Sequence, residues 1–354
     1  MPVEIFTQLD GAQPFWSDAM CRSPFETHLW NSVYSRHFDV KPHILVARDN
    51  GNTAILPLKQ DGRRPRILRF LSVAHSDYQD VLLGRSGVHD REDGRHAGCL
   101  SALLAGLKEL EWELLEMAHV PEHSVLLKAV PQAFPGARVL PEEVCPVLAL
   151  PDSWDVLLKS MKKKTRDKLK YYAKRAGARG GLEFQCSDRP RETGEAFETH
   201  LRLHRKRWAK RALPGVFYSH RIRAFHRDLS PKLAHHGLCR LYTMNVGGQP
   251  VGSLYGFPFR DTYYLYSIGY DPEFAEVSPG FLLVAHAIED CISRGFREFD
   301  FLRGEEDYKF RWKPAVHQNY RIVAGRGHWV SKALEHKSRL SLALELKAKQ
   351  LLRR

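Results

Sequence analysis

Residues 271–312, DPEFAEVSPGFLLVAHAIEDCISRGFREFDFLRGEEDYKFRW, decide how the rest of the chain is read. Just upstream, Tyr263 to Tyr270 is an aromatic and apolar run suited to a pleated strand. Ser278-Pro279-Gly280 then opens a helix. Serine is a good N-cap acceptor, and proline at the first helical position gives up an N–H that has no helical partner. Phe281, Val284, Ala285, Ile288 and Cys291 recur at helical spacing, and Gly295 sits where a left-handed cap would close the helix. Phe296 to Leu302 alternates with period two and reads as the next strand. Arg303-Gly304 turns the chain, and Glu305 to Trp312 reads as a short helix stopped by Pro314.

A helix that begins directly after a strand points unpaired N–H groups and the positive end of its dipole at whatever lies above the sheet. Here the N–H groups of Gly280, Phe281 and Leu282 are expected to form a seat for a pyrophosphate, with Gly280 permitting close approach. Asp300, Arg303, Glu305, Glu306, Tyr308 and Lys309 follow within one loop and turn. Titratable groups crowded at a strand's carboxyl end mark a candidate site. The competing reading is a plain cap followed by a solvated charged face.

Three segments in this order and spacing, Ser278-Pro279-Gly280-Phe281-Leu282-Leu283, Phe299-Asp300-Phe301-Leu302-Arg303-Gly304 and Tyr308-Lys309-Phe310-Arg311-Trp312, resemble the cellulose-biosynthesis acetyltransferases. That group belongs to the GNAT superfamily and is related to the Fem-type peptidyltransferases, which use aminoacyl-tRNA. Looser similarity runs from Phe25 to about Val330. The resemblance implies an α/β (α+β) fold of two tandem GNAT-like domains, each a mixed, mainly antiparallel sheet flanked by helices. The expected division is 1–150 for a degenerate N-terminal domain, 151–330 for the acyltransferase domain and 331–354 for a basic amphipathic helix.

The same resemblance implies acyl-CoA, acetyl-CoA first, as co-substrate. Ser278, Gly280, Phe281 and Leu282 would hold the donor, and the acceptor would be a primary amine. An amine attacks a thioester directly, so the protein has to supply a base and a donor to the developing oxyanion or leaving thiolate. Asp300 and Glu305 are the candidate bases, with a structural role for Asp300 as the rival. Tyr308 is the candidate proton donor. Lys309 is the candidate charge stabiliser, by likeness to a matching lysine in Fem-type relatives. Arg303 and Arg207 would bind anions, while His204 and Trp208 would line the cleft and Asp77-Tyr78 would match an acidic-aromatic segment of the family. No metal is expected: His200 and His204 stand at i and i+4, but no third ligand is near them in sequence.

The formal charge of +13 over 354 residues favours anionic partners: CoA phosphates, tRNA, a nucleotide-sugar or an anionic membrane face. The densest basic run, Lys162 to Arg179 with Leu169, Tyr171 and Tyr172 interleaved, reads as a nucleic-acid patch, a membrane-facing helix or a solvated helix face. The tail, Ser331 to Arg354, reads as a basic amphipathic helix that would dock on the body, a partner or a membrane surface. No apolar run is long enough to span a bilayer and no signal-peptide pattern opens the chain. The six scattered cysteines, with no CxxC pair, read as reduced thiols of a cytoplasmic protein, with peripheral contact at the inner membrane face left open. Two other function classes stay open: a Fem-like aminoacyl-tRNA transferase and a non-catalytic glycan- or partner-binding protein. Amino sugar, polysaccharide precursor, lipid-linked amine and peptide all fit as acceptors, and oligomeric state is not readable.

Along the rest of the chain, the pattern predicts a helix over 25–34 and a hairpin of 43–47 with 53–58 around Asn50-Gly51. A strand at 66–73, a charged loop at 89–96, a helix at 98–110, a strand at 113–117 and a helical turn at 124–130 follow. Pro141 to Pro151 reads as a crossover between domains. Beyond it lie a helix from Asp152, a strand at 183–186, helices at 195–211 and 219–228 around a 213–216 turn, a hairpin of 238–246 with 249–257, and a last strand at 318–324.

Overall fold

The computed structural model describes residues 2–17, 20–85, 96–209 and 215–326, with six further positions between 332 and 340. The chain divides into two compact units, Met1–Val144 with His317–Arg354, and Cys145–Val316. Each is a mixed, mainly antiparallel sheet flanked by helices.

The first unit contains β1 (Val3–Phe6), α1 (Leu9–Ala12), α2 (His28–Phe38), β2 (Pro42–Asp49), β3 (Asn52–Asp61), β4 (Ile67–Phe70), β5 (Leu82–Arg85), α3 (Ala97–Glu109), β6 (Leu114–Pro121), α4 (Leu126–Ala133) and the start of β7 (Arg138–Ala149). Asn50 and Gly51 both take positive φ, 48° and 80°, which gives the tight turn that sets β2 against β3 in register from Pro42↔Lys59 to Asp49↔Asn52. β6 is buried at all its positions, the signature of a central strand covered on both faces. Leu103 and Leu107 of α3 pack with Leu45, Leu56, Leu68 and Phe70 of the sheet. Arg321 closes a buried ion network, with Nε donating to Glu142 Oε1 at 2.7 Å and an Nη donating to Glu116 Oε1 at 3.1 Å.

The second unit continues with α5 (Trp154–Ser160), α6 (Lys163–Gly177), β8 (Leu182–Ser187), α7 (Pro190–Ala209), α8 (His220–His235), β9 (Arg240–Val246), β10 (Gln249–Phe259), β11 (Thr262–Tyr270), α9 (Pro279–Ser293), β12 (Glu298–Asp300) and α10 (Asp307–Phe310). Its strand order is β7-β12-β11-β10-β9-β8, antiparallel except for the β11–β12 pair. Successive side chains of a strand face opposite ways. Thus a Cβ at Gly252 would meet Leu283 and Pro279 of α9, whereas Ser253 Oγ bonds His200 Nδ1 of α7 at 3.2 Å. At Gly269 the α7 backbone lies directly on β11, where a Cβ would come within 2.5 Å of His204 N. The chain then returns to the first unit through β13 (Ala315–Gly325), which pairs antiparallel with β6.

Several expectations shift. The helix expected at 25–34 starts later, at His28, because Thr27 is its cap: its side chain accepts the N–H of Trp30. Pro141 to Pro151 does carry the chain from the first unit to the second, which divide between Val144 and Cys145, but mostly as strand β7, tolerated because proline lacks only the donor, and the Pro146 carbonyl still accepts the Phe301 N–H at 3.0 Å. The helix from Asp152 breaks into α5 and α6 at Met161-Lys162. α8 runs seven residues past its expected end, through Pro231, because Leu229, Leu233 and Ala234 give it a continuous buried face. A 3₁₀ segment, Pro272–Val277, precedes α9, its entry fixed by Asp271 Oδ1 accepting the Glu273 N–H at 3.1 Å. The 89–96 loop, all but its last residue, the 213–214 half of the turn and most of the 331–354 helix lie outside the described residues.

Candidate active site

The carboxyl end of β11 and the start of α9 frame a cleft of about 260 Å³ within the second unit. Ile268 and Tyr270 line it from the strand, Ser278, Gly280 and Phe281 from the helix start, Arg207 from α7, and Tyr308, Arg311 and Trp312 from α10 and its end. Five residues that the sequence singles out therefore meet: Arg207, Ser278, Gly280, Phe281 and Tyr308. Leu282 does not; it points into the core with Leu283 and Ile288.

The helix start differs from expectation in a way that changes its chemistry. Ser278 adopts the left-handed region (φ 50°, ψ 60°), and its side chain makes no cap bond. Instead its carbonyl accepts the N–H groups of Phe281 and Leu282, at 3.0 and 3.2 Å. Of the three expected donors, those two are engaged, which leaves the Gly280 N–H. Two cationic side chains stand beside it. Arg207 lies over the Tyr270 ring (5.2 Å) and the Trp208 ring (5.4 Å) while an Nη donates to the Ile268 carbonyl at 2.6 Å. Arg311 lies over Phe281 at 5.7 Å. The sequence reading missed Arg311 as a site residue, although its spacing of i+3 from Tyr308 puts both on one face.

Tyr308 packs its ring edge-on to Phe301, at 6.4 Å. Burial pushes its hydroxyl pKa up, so the group stays protonated at neutral pH. Its hydroxyl has no hydrogen-bond partner among the described residues.

The loop behind it is stapled from below. Asp300, only 4% exposed, accepts the Leu302 N–H at 2.7 Å through Oδ1. Leu302 has φ +56° and Gly304 φ +113°, a sharp turn that Asp300 fixes. Lys309, 3% exposed, donates from Nζ to the carbonyls of Leu302 (3.0 Å), Arg303 (2.7 Å) and Gly304 (3.2 Å), and pairs with Glu306 at 2.9 Å. Its ammonium thus holds the loop from within. Glu305 is exposed, and Arg303 is half-buried.

His204 is buried behind the cleft against Phe217 (4.9 Å) and Trp208 (5.9 Å), so of the expected lining trio only Arg207 reaches the cavity. Burial first, and then the Arg207 charge, pushes His204 down to about 3; burial likewise holds His200 well below its ordinary value. The sign follows directly. Unfolded histidines take up protons below about pH 6.5 and these buried rings do not, so stability is lost as pH falls through that value. At pH 5 the expected loss is about 2 kcal/mol per histidine. Denaturant midpoints at pH 7 and 5 measure it; an unchanged midpoint, with both His200 and His204 intact, would overturn this account.

Asp77 and Tyr78 belong to the first unit, where the Asp77 carbonyl accepts Asn319 Nδ2 at 2.9 Å and the Tyr78 carbonyl accepts Gln79 Nε2 at 2.9 Å. Two perturbed carboxyls of that unit are Asp80, three residues after Asp77 at the end of the same segment, and Glu26, which no motif marks. Burial raises Glu26 to about 7 and Asp80 to about 6, and Asp80 Oδ1 accepts the Ser124 hydroxyl at 2.5 Å. Among the described residues no group of three or more His, Cys, Asp or Glu is arranged to hold a metal ion.

Residues 163–310 match the family profile described as an acetyltransferase (GNAT) domain, all within the second unit. No curated protein sequence matches the chain. Among solved structures it is similar in fold to FemX, with TM-score 0.64 and 11% identity over 95% of this chain and 100% of that one. A tandem GNAT protein from the clavulanic acid biosynthesis pathway gives 0.50 and 16% over 92% and 99%. L-PGS from Bacillus licheniformis gives 0.54 and 10% over 86% and 90%. The fold is therefore GNAT-like, and the acetyltransferase (GNAT) domain match over residues 163–310 supports an acyltransferase.

Proposed function

We propose that the α9 cleft takes an acyl-CoA, acetyl-CoA first, and that the acyl group passes to a primary amine of an amino sugar or another polysaccharide or cell-envelope precursor. The acceptor class follows from the likeness of the Ser278, Phe299 and Tyr308 segments to cellulose-biosynthesis acetyltransferases. The observation that carries the reaction is the Tyr308 hydroxyl, protonated and with no hydrogen-bond partner among the described residues, on the wall of a cleft that begins at a helix N-terminus. Arg207 and Arg311 would meet the donor's phosphates with the Gly280 N–H between them.

In this reading the amine lone pair attacks the thioester carbonyl carbon. As the tetrahedral adduct collapses, the C–S bond breaks and its electron pair leaves on sulfur. Tyr308 supplies the proton that makes the product thiol. Asp300 and Lys309 act on loop geometry rather than on the reacting atoms, since their polar atoms are engaged by the loop. Glu305, exposed on that loop and outside the cleft lining, would take up the amine's proton through water.

Calorimetry with acetyl-CoA tests the donor site. A Cβ at Gly280 would have Ile268 and Tyr270 no nearer than 3.7 and 3.9 Å, so Gly280→Ala is expected to fold and bind as the parent does. Gly280→Glu sets a carboxylate among the donor's phosphates, and binding should be lost without loss of the thermal transition. In a thiol-release assay, Glu305→Gln should slow turnover and leave donor binding intact. A parent protein that binds no short acyl-CoA would sink this reading. The fold likeness to FemX and the +13 charge favour a second one, an aminoacyl-tRNA-dependent transferase. Salt-dependent affinity for aminoacyl-tRNA in the same protein would be its mark.

A further inference from the structure

We propose that the outer face of α6 is a docking surface for an anionic lipid bilayer. α6 is fifteen residues, about 22 Å long. Lys162, Lys163, Lys164, Lys168, Lys170 and Lys174 are all exposed along it or at its cap, and Asp167 is the exposed carboxylate among them. None of these lysines forms an ion pair among the described residues. Lys163, Lys164 and Lys168, with Asp167 and Tyr171, line a shallow hollow on this face. A solvated helix face usually alternates charge signs to support itself; this one repels itself instead.

The surface is held rigid, as a docking face requires. An Nη of Arg166 donates to the carbonyls of Leu158, Lys159 and Met161 at 3.2–3.3 Å, which locks the corner between α5 and α6. Lys313 Nζ donates to the Ser160 carbonyl at 2.5 Å, tying the chain after α10 to that corner. The inner face of α6 is engaged: Tyr172 packs edge-on to Phe281 of α9 at 6.4 Å.

Tyr171, which lines the same hollow as Lys163, Lys164 and Lys168, is 55% exposed. A headgroup layer both buries such a ring and pairs the lysines around it, which favours a bilayer over a nucleic acid. The surface is independent of the transfer reaction: it would bind whether or not acetyl-CoA is the donor.

Co-sedimentation of the full chain with vesicles tests it. The protein should bind vesicles of equal parts phosphatidylcholine and phosphatidylglycerol, bind phosphatidylcholine alone far more weakly, and release from the mixture as salt rises. Combining Lys163→Gln, Lys164→Gln and Lys168→Gln should weaken binding about a hundredfold and leave the thermal transition in place. If that variant does not fold, Lys170→Gln with Lys174→Gln should weaken binding in the same direction. Absence of binding to the mixture, equal binding to both vesicles, or parent-like binding by a folded variant overturns the proposal. An RNA duplex bound by the parent, ignored by the variant and not displaced by vesicles would reassign the face to nucleic acid.

Discussion

Tyr308→Phe is expected to lower kcat for acyl transfer about a hundredfold while leaving donor affinity close to that of the parent. The substitution removes a single oxygen. The ring keeps its edge-on packing on Phe301, and the cleft keeps its shape. What disappears is the one proton the leaving sulfur would receive inside the cavity, because burial keeps that hydroxyl protonated. The pH dependence carries the same sign: turnover should fall on the alkaline side only above the ordinary tyrosine range, and the variant should lack that limb. Steady-state thiol release against pH measures both. A variant that turns over like the parent would move the proton to solvent and leave Tyr308 as packing.

Lys309→Met is expected to lower the stability of the second unit by about 3–5 kcal/mol, roughly 10 °C in its thermal transition. Methionine keeps an unbranched apolar side chain of nearly the same length, so the loss chiefly reports the ammonium. That group satisfies three carbonyls of the Leu302–Gly304 turn and pairs with Glu306, all beside a buried Asp300. A buried acceptor left without its donor costs about 1–3 kcal/mol. The alternative, a lysine acting directly on the reacting carbonyl, predicts the reverse: an intact transition with collapsed kcat. Calorimetric unfolding and thiol release, measured on one preparation, separate them.

The fold was open to reading wherever periodicity and turn chemistry agree. Asn50-Gly51 and Gly247-Gly248 each mark a hairpin that forms in the expected place, because positive φ at both turn residues admits few alternatives. The aromatic run before Asp271 is strand β11, and the segment after Pro279 is helix α9. Local signals fail where tertiary bonds override them. Pro141 to Pro151 marks the passage between units but not its conformation, which is largely strand, since β12 needs a partner for its carbonyls and N–H groups. At the site, residue types were legible but side-chain direction was not. Lys309 and Tyr308 are adjacent in sequence, and a turn sends one into the loop and the other to the cleft wall. Ser278 carries the residue type of a cap, but its left-handed backbone hands the capping task to its carbonyl.

The return of β13 to the first unit bears on the order in which the protein can be made. β13 pairs along β6 from Asn319↔Pro121 to Gly325↔Leu114, so the interior strand of the first sheet lacks a neighbour until residue 325 exists. The second unit, Cys145–Val316, is complete before that point. A ribosome emitting this chain therefore delivers the first unit's opening segment early and its closing strand last. For nearly two hundred codons after Pro121, one edge of β6 waits for its β13 partner, an exposed template of the kind that invites mispairing. The first unit is thus completed only by a strand that follows the whole of the second.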